Sequence, residues 1–186
     1  MQDALIEAVR AGNIDAVRAI ASRETVRTAD AEGMTPLMLA ASLGRTDIVH
    51  LLVAAGAEVD AVDARGFTAL FHACYHGDED RGHPEAVQAL LDAGADREAT
   101  IGFGVRPLMY AAGNGEAGVV EVLLRAGADP AARNEGGRTA LMMVKDRDYV
   151  DVINILHEAE LALGGEGCGT RNAPGMQVVT FLKKSP

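Results

Sequence analysis

The 186-residue sequence has no tryptophan, and aromatic residues make up only 4% of it. Hydrophobic residues nevertheless reach 48%, which excludes a wholly disordered chain. Alanine, leucine and valine recur throughout, so the apolar content is small and aliphatic. This composition favours thin, closely packed helices over a sandwich or barrel with one aromatic-filled core.

Basic residues are scarce relative to acidic ones. Seventeen lysines and arginines stand against 27 aspartates and glutamates, which gives a net charge of −10 at pH 7. A phosphate backbone would be repelled by such a chain rather than attracted to it. We therefore expect no nucleic-acid partner.

Membrane segments and cysteine motifs are also missing. No apolar run approaches the roughly 18 residues of a membrane helix, and residues 1–10 lack a basic stretch followed by a signal-peptide core. The two cysteines, Cys74 and Cys168, form no CxxC motif. We expect a soluble cytoplasmic protein with reduced thiols and no membrane partner.

Glycines recur at a fixed spacing along the chain. One set is spaced by 33, 38 and 33 residues, and each member precedes a leucine by four positions: Gly33, Gly66, Gly104 and Gly137. A second set, Gly44, Gly77 and Gly115, is spaced by 33 and then 38 residues, and a third, Gly56, Gly94 and Gly127, by 38 and then 33. The five extra residues therefore lie between Gly77 and Gly94. The chain is therefore a series of similar units, one of which carries an insertion.

Each unit has signals that start and end a short helix. Thr35 can cap the exposed backbone N–H groups, and Pro36 has a φ angle suited to the first helical position. Thr68 and Thr139 keep the cap without the proline. Gly44 supplies the left-handed residue that ends the helix, so a reversal of the chain must follow.

A second helix follows in every unit, with apolar residues at positions i, i+1, i+3 and i+4. Such short helices are marginal in isolation and persist when neighbouring units stack and bury a shared stripe. The stripe residues are Ile48, Val49, Leu51 and Leu52; Ala86, Val87, Ala89 and Leu90; Val119, Val120, Val122 and Leu123; and Val152, Ile153, Ile155 and Leu156.

The segment Gly33-Met-Thr-Pro-Leu-Met-Leu-Ala-Ala41, followed by Gly44, Ile48-Val-His-Leu-Leu52 and Gly56-Ala57, resembles an ankyrin repeat. The period of 33 residues is that of the same family. The resemblance covers residues 1–163 and implies an all-α fold. This fold is an ankyrin-repeat solenoid of stacked helix-turn-helix units joined by β-hairpin loops, with about five repeats including two caps.

The repeat register predicts the organisation of the chain. Residues 1–29 lack the Thr-Pro-Leu opening and form an N-terminal cap repeat, and residues 134–163 form a C-terminal cap repeat that places charge where no further unit would dock. The internal repeats are 30–62, 63–100 and 101–133. Residues 164–186 form a Gly-rich C-terminal tail with a β-prone stretch from Met176 to Lys184.

Two departures from the family pattern affect the loops. Family members often carry a histidine after Thr-Pro-Leu that braces neighbouring hairpins, whereas this chain has Met38, Phe71, Met109 and Met142 there. We therefore expect that histidine network to be missing. The fourth unit opens with Ile101 and Arg106 in place of Asp and Thr, which predicts the least regular hairpin.

An enzyme or metal-site interpretation depends on the insertion. His72 and His76 lie four residues apart, a spacing that can bind a metal, and Asp78, Glu79, Asp80 and His83 follow. The alternative is a solvated polar loop, and we predict that residues 78–83 form an exposed excursion from the stack. Neither a phosphate-binding loop nor a nucleophile with its base is evident, so no cofactor and no metal are expected.

The resemblance implies that recognition falls on the hairpin tips and on the exposed face of each first helix. Large aromatic side chains there would form an apolar patch typical of an interface, although the rings of Phe67 and Tyr75 could instead pack on adjacent hairpins. The predicted binding residues are Met34, Leu43, Arg65, Phe67, Tyr75, His76, Phe103, Val105, Asn114 and Arg138.

These features favour a non-catalytic protein–protein interaction module. It would act as an adaptor, inhibitor or regulator and bind a protein partner on its concave face as a monomer. Two alternatives stay open at this point: an enzyme or metal-dependent site completed by the 78–83 insertion, and a self-associating structural unit.

Overall fold

The computed structural model describes residues 2–75 and 82–165. Within these ranges the chain forms ten α-helices arranged as five successive pairs. They are α1 (Gln2–Arg10), α2 (Ile14–Ile20), α3 (Pro36–Ser42), α4 (Thr46–Ala54), α5 (Ala69–Cys74), α6 (Pro84–Asp92), α7 (Pro107–Gly113), α8 (Ala117–Arg125), α9 (Ala140–Val144) and α10 (Val150–Gly165).

The helices stack in two rows. The first helices of the pairs (α1, α3, α5, α7 and α9) each contact the next in their row, and the second helices (α2, α4, α6, α8 and α10) do the same. One continuous hydrophobic core runs through both rows and contains most of the predicted second-helix stripe, while Leu51, Ile153 and Ile155 are partly buried against it. This arrangement is an all-α solenoid of stacked helix pairs, as the sequence predicts.

Two of the three predicted threonine caps are present. The Thr35 hydroxyl accepts a hydrogen bond from the Met38 N–H at 3.2 Å, and Thr139 accepts one from Met142 at 3.3 Å. The prediction for Thr68 is wrong, because its buried hydroxyl has no hydrogen-bond partner in the structure. A threonine caps a helix only when its rotamer directs the oxygen at the amide two or three residues on.

The hairpin loops are tight turns closed by backbone hydrogen bonds. In three of them an Asp or Asn side chain accepts N–H groups within the loop: Asp30 from Glu32 and Met34, Asp63 from Arg65 and Phe67, and Asn134 from Arg138. The hairpin that opens the fourth unit has Ile101 in place of the Asp or Asn, and it forms a 3₁₀ turn with an isolated bridge between Ile101 and Val105. It is the irregular hairpin that the sequence predicts.

Side chains brace neighbouring repeats at the ends of the second helices. Arg27 and Arg97 each donate Nε to the carbonyl of a glycine in the following unit, Gly56 and Gly127, at 3.2 Å. Two carboxylates accept backbone N–H groups in the loop of the following unit: Asp60 from Asp96 at 3.0 Å and Glu98 from Asp129 at 3.1 Å. These contacts link the loops without the histidines that are typical of the family.

The last second helix is the longest. α10 has 16 residues, whereas α4, α6 and α8 have nine each. It therefore continues beyond the point at which the other second helices turn into a loop. No helix in the described part of the chain is long and apolar enough to cross a membrane.

Candidate binding surface

Five rings from two adjacent repeats form one aromatic cluster. Phe67 lies at its centre, with ring centroids 5.6 Å from Phe71, 5.5 Å from Tyr110 and 5.8 Å from His72. Tyr75 completes the cluster with a centroid 6.4 Å from that of Tyr110. Most of the pairs are edge-to-face, the arrangement that the ring quadrupoles favour.

The stacking of first helices brings these rings together. Phe67 precedes α5, Phe71 and His72 lie on it, Tyr75 follows it, and Tyr110 lies on the neighbouring α7. Phe71 and His72 are buried, whereas Phe67, Tyr75 and Tyr110 are half-buried. Burial raises the pKa of the Tyr110 hydroxyl above its ordinary value. The cluster thus has a buried base and a rim that reaches the surface.

The Phe67 ring packs against Tyr110 of the next repeat and still reaches solvent. Sequence reasoning missed Tyr110. In register, the residues at its place in the other units are Leu39, His72 and Met143, so two successive units carry a ring at this position. Comparing the units in register at that position would have found it.

The buried base of the cluster is tied to the hairpin by an ionisable pair. His72 Nε2 lies 3.1 Å from Asp63 Oδ2, and both side chains are almost fully buried. Burial alone would raise the pKa of Asp63, but the N–H groups of Phe67 and Arg65 and the ring of His72 together lower it below its usual value. The carboxylate therefore holds the hairpin and the helix in one arrangement.

This lowered pKa predicts a loss of stability in acid. The stability that the ionised Asp63 contributes is fully present above its unfolded-state pKa of about 3.9 and disappears as the pH falls through the lower folded-state value. Urea unfolding at pH 6, 4 and 3 measures this loss. We expect Asp63→Asn to show a shallower decline below pH 4, and equal declines in the two proteins would contradict the assignment.

The structure gives the candidate metal ligands other partners. His72 bonds Asp63, and His83 Nε2 bonds the Ser42 carbonyl at 3.0 Å. The prediction that residues 78–83 are exposed is wrong for His83, which is buried because its ring packs on Gly44 and its N–H donates to the Ala73 carbonyl at 2.8 Å.

The remaining members of the predicted insertion site are outside the described ranges: His76, Asp78, Glu79 and Asp80. In the part of the chain that the structure describes, no three His, Cys, Asp or Glu side chains gather at metal-binding distance. Cys74 is fully buried on α5, and this burial raises the pKa of its thiol far above the usual range. A group in this state is a poor nucleophile.

The other predicted binding residues border the same surface to different degrees. Arg65 is exposed, and its guanidinium lies 4.7 Å above the Phe67 ring. Asn114 donates Nδ2 to the Tyr110 carbonyl at 2.8 Å and is half-buried. Met34, Leu43 and Val105 are half-buried, and Arg138 is exposed on the last hairpin.

Phe103 stands apart from the aromatic cluster among the described residues. It is 81% exposed on the irregular hairpin and has a φ angle of +63°. Its carbonyl accepts the Glu135 N–H of the next hairpin at 3.0 Å. A left-handed conformation costs a non-glycine residue about 1–2 kcal/mol, so neither packing nor backbone preference accounts for a phenylalanine here.

We expect Phe103→Gly to raise the free energy of unfolding by about 1 kcal/mol, because glycine adopts the left-handed conformation freely. Phe103→Ala is the matched control, since it removes the ring and keeps the backbone penalty. Denaturant unfolding of the three proteins makes the comparison. Equal stabilities for the glycine and alanine variants would show that the hairpin is unstrained.

Comparison with known proteins agrees with this geometry. The family model described as ankyrin repeats (3 copies) matches residues 5–100 and 79–164. Ankyrin repeat domain-containing protein 63 of Mus musculus is 35% identical over 162 residues, covering 81% of this chain and 40% of that protein. The Homo sapiens protein of the same name is 33% identical over 185 residues, covering 91% of this chain and 47% of the relative.

A further relative carries a different name. The B-cell lymphoma 3 protein homolog of Mus musculus is 31% identical over 151 residues, covering 81% of this chain and 30% of that protein. The chain therefore spans less than half the length of these three relatives. From its repeat period, its stacked helix pairs and these matches, the chain belongs to the ankyrin repeat family, whose repeats are protein–protein interaction modules.

Proposed function

We propose that this chain is a non-catalytic binding module that holds a protein partner on its concave face, formed by the hairpin tips and the exposed faces of the first helices. The observation that carries the proposal is the half-exposed rim of the aromatic cluster: Phe67, Tyr75 and Tyr110. The module would work in the cytoplasm, where the thiols stay reduced.

The distribution of aromatic residues supports an interface. Four of the seven phenylalanines and tyrosines of the chain gather in this cluster. Rings held by their neighbours lose little conformational freedom on binding and bury much apolar area, which makes tyrosine a frequent hot-spot residue. The cluster therefore offers a partner a rigid anchor point with a charged edge at Arg65.

Phe103 supplies an independent argument. A strained backbone conformation persists where function benefits from it, and the exposed ring gives the fold little packing in return. A projecting phenylalanine can insert into a pocket on a partner. We propose Phe103 as a second anchor on the neighbouring hairpin.

Differential capture tests the proposal. The parent protein, Tyr75→Ala, Phe103→Ala and His50→Glu are each immobilised and exposed to native extract, and the bound proteins are quantified by mass spectrometry. His50 is the control because it is exposed on α4, in the row of second helices. We expect proteins retained by the parent and His50→Glu to be depleted from both alanine variants.

The opposite pattern would overturn the proposed surface. If His50→Glu loses the bound proteins while both alanine variants retain them, the partner binds the second helices. Concentration-dependent dimerisation that Tyr75→Ala abolishes would favour the self-associating alternative. Turnover of a substrate by the purified protein would refute the non-catalytic assignment.

A further inference from the structure

An apolar groove of about 420 Å³ lies near the C-terminal end of the array, between the loop after α8 and the last turns of α10. The loop contributes Ala128 and Pro130, and α10 contributes Ala159, Ala162 and Leu163. Leu163 is 54% exposed although it lines the groove. The position of this groove on the last two units is separate from the aromatic cluster.

The repeat register explains why the groove forms at this place. In the third unit, Arg97 and Glu98 follow Gly94 by three and four residues and brace the next loop. The corresponding residues after Gly127 are Pro130 and Ala131, which cannot make either contact. α10 continues to Gly165, whereas the earlier second helices end in a loop at the corresponding point. The surface here is therefore apolar, whereas Arg97 and Glu98 hydrogen-bond the next loop at the corresponding place in the third unit.

We propose that the chain's own segment Met176–Leu182 docks in this groove. α10 ends at Gly165, two residues after the groove-lining Leu163. Ten residues, 166–175, connect the helix to the segment, and three of them are glycines and one is a proline. Ten residues span up to about 33 Å, which allows the chain to reverse and return along α10.

The chemistry of the segment matches the groove. Met176-Gln-Val-Val-Thr-Phe-Leu182 supplies five apolar side chains that gain by leaving water. Residues 166–186 carry three basic residues and one acidic residue, while the whole chain has a net charge of −10. Asp129 lies at the groove, so the tail is attracted to the body of the protein.

The same charges favour the chain's own tail over a second copy of the protein. Two copies would each bring a net charge of −10 to the contact and repel one another. The covalent connection also gives the segment a high effective concentration at the groove. Docking within one molecule therefore needs no partner and no change in concentration.

Hydrogen exchange of the full chain, followed by mass spectrometry, tests the proposal. We expect the amides of residues 178–182 to exchange at least about tenfold more slowly than in an unstructured chain. Ala162→Arg fills the groove and should abolish this protection. Leu161→Arg is the matched control, because residue 161 is 62% exposed on the same turn and does not line the groove.

A reciprocal change in the segment guards against misfolding of the helix variants. Phe181→Asp should abolish the protection of residues 178–182 and leave the circular dichroism of the array unchanged. Three results would overturn the proposal: fast exchange of these amides in the parent protein, protection that survives Ala162→Arg, or protection that appears only as protein concentration rises. The last of these would assign the groove to a second copy.

Discussion

Leu123→Ala is expected to lower the free energy of unfolding by about 2 to 5 kcal/mol, because it deletes buried methyl groups and leaves a cavity. Leu123 is 0% exposed on α8. This helix packs against α6, α7 and α10, so the lost contacts belong to two neighbouring repeats as well as its own. The stack unfolds cooperatively when such shared contacts dominate.

Denaturant unfolding measures the effect, and Leu161→Ala provides the control. Leu161 is 62% exposed on α10, so its truncation should cost less than about 0.5 kcal/mol. A loss below about 0.5 kcal/mol for Leu123→Ala itself would show that α8 does not bury this face in solution.

Asp63→Ala has the second large effect, and we expect a loss of about 2 to 4 kcal/mol. The change removes the acceptor for the N–H groups of Arg65 and Phe67 and for the His72 ring. The ring pairing is buried, so His72 would lose a partner that water cannot readily replace. Thermal or urea unfolding at pH 7 measures the loss.

The repeat provides a matched control at the equivalent position. Asp30 accepts the N–H groups of Glu32 and Met34 in the same way, but it is exposed and the hydrogen bonds lie at the surface. Asp30→Ala should therefore cost about 1 kcal/mol. Equal losses for the two variants would mean that the contact between Asp63 and His72 adds nothing to stability.

The sequence predicts the fold well because its strongest signals are local and repeated. Gly44 shows this, since its φ of +62° is the left-handed conformation expected at a helix end. Thr35 caps its helix as predicted. Such signals act within one unit, so five imperfect copies in register are enough to establish the stacked helix pairs.

Contacts between units were harder to predict, because they depend on which side chains meet after stacking. Tyr110 joins the aromatic cluster only because α7 lies beside α5. His83 is buried because its ring finds space at Gly44, 39 positions earlier in the sequence. The expected histidine position after Thr-Pro-Leu is occupied by Phe71 in the third unit, so the sequence did not predict that His72, one position later, hydrogen-bonds Asp63.

The backbone conformation of the hairpin that opens the fourth unit was also not predicted from the sequence. Ile101 signals an irregular loop but gives no indication that Phe103 adopts a positive φ. The predicted domain boundaries stay predictions because they concern which segments fold on their own. The predicted binding residues stay predictions because they concern contacts with a partner.

The central claim is that the surface around the aromatic cluster holds a protein partner. Its most direct test is the dissociation constant of one captured partner, measured by titration calorimetry for the parent, Tyr75→Ala, Phe103→Ala and His50→Glu. We predict that each alanine variant weakens binding by about 1 to 4 kcal/mol and that His50→Glu binds like the parent. Unchanged dissociation constants for both alanine variants, together with lost binding for His50→Glu, would contradict the account.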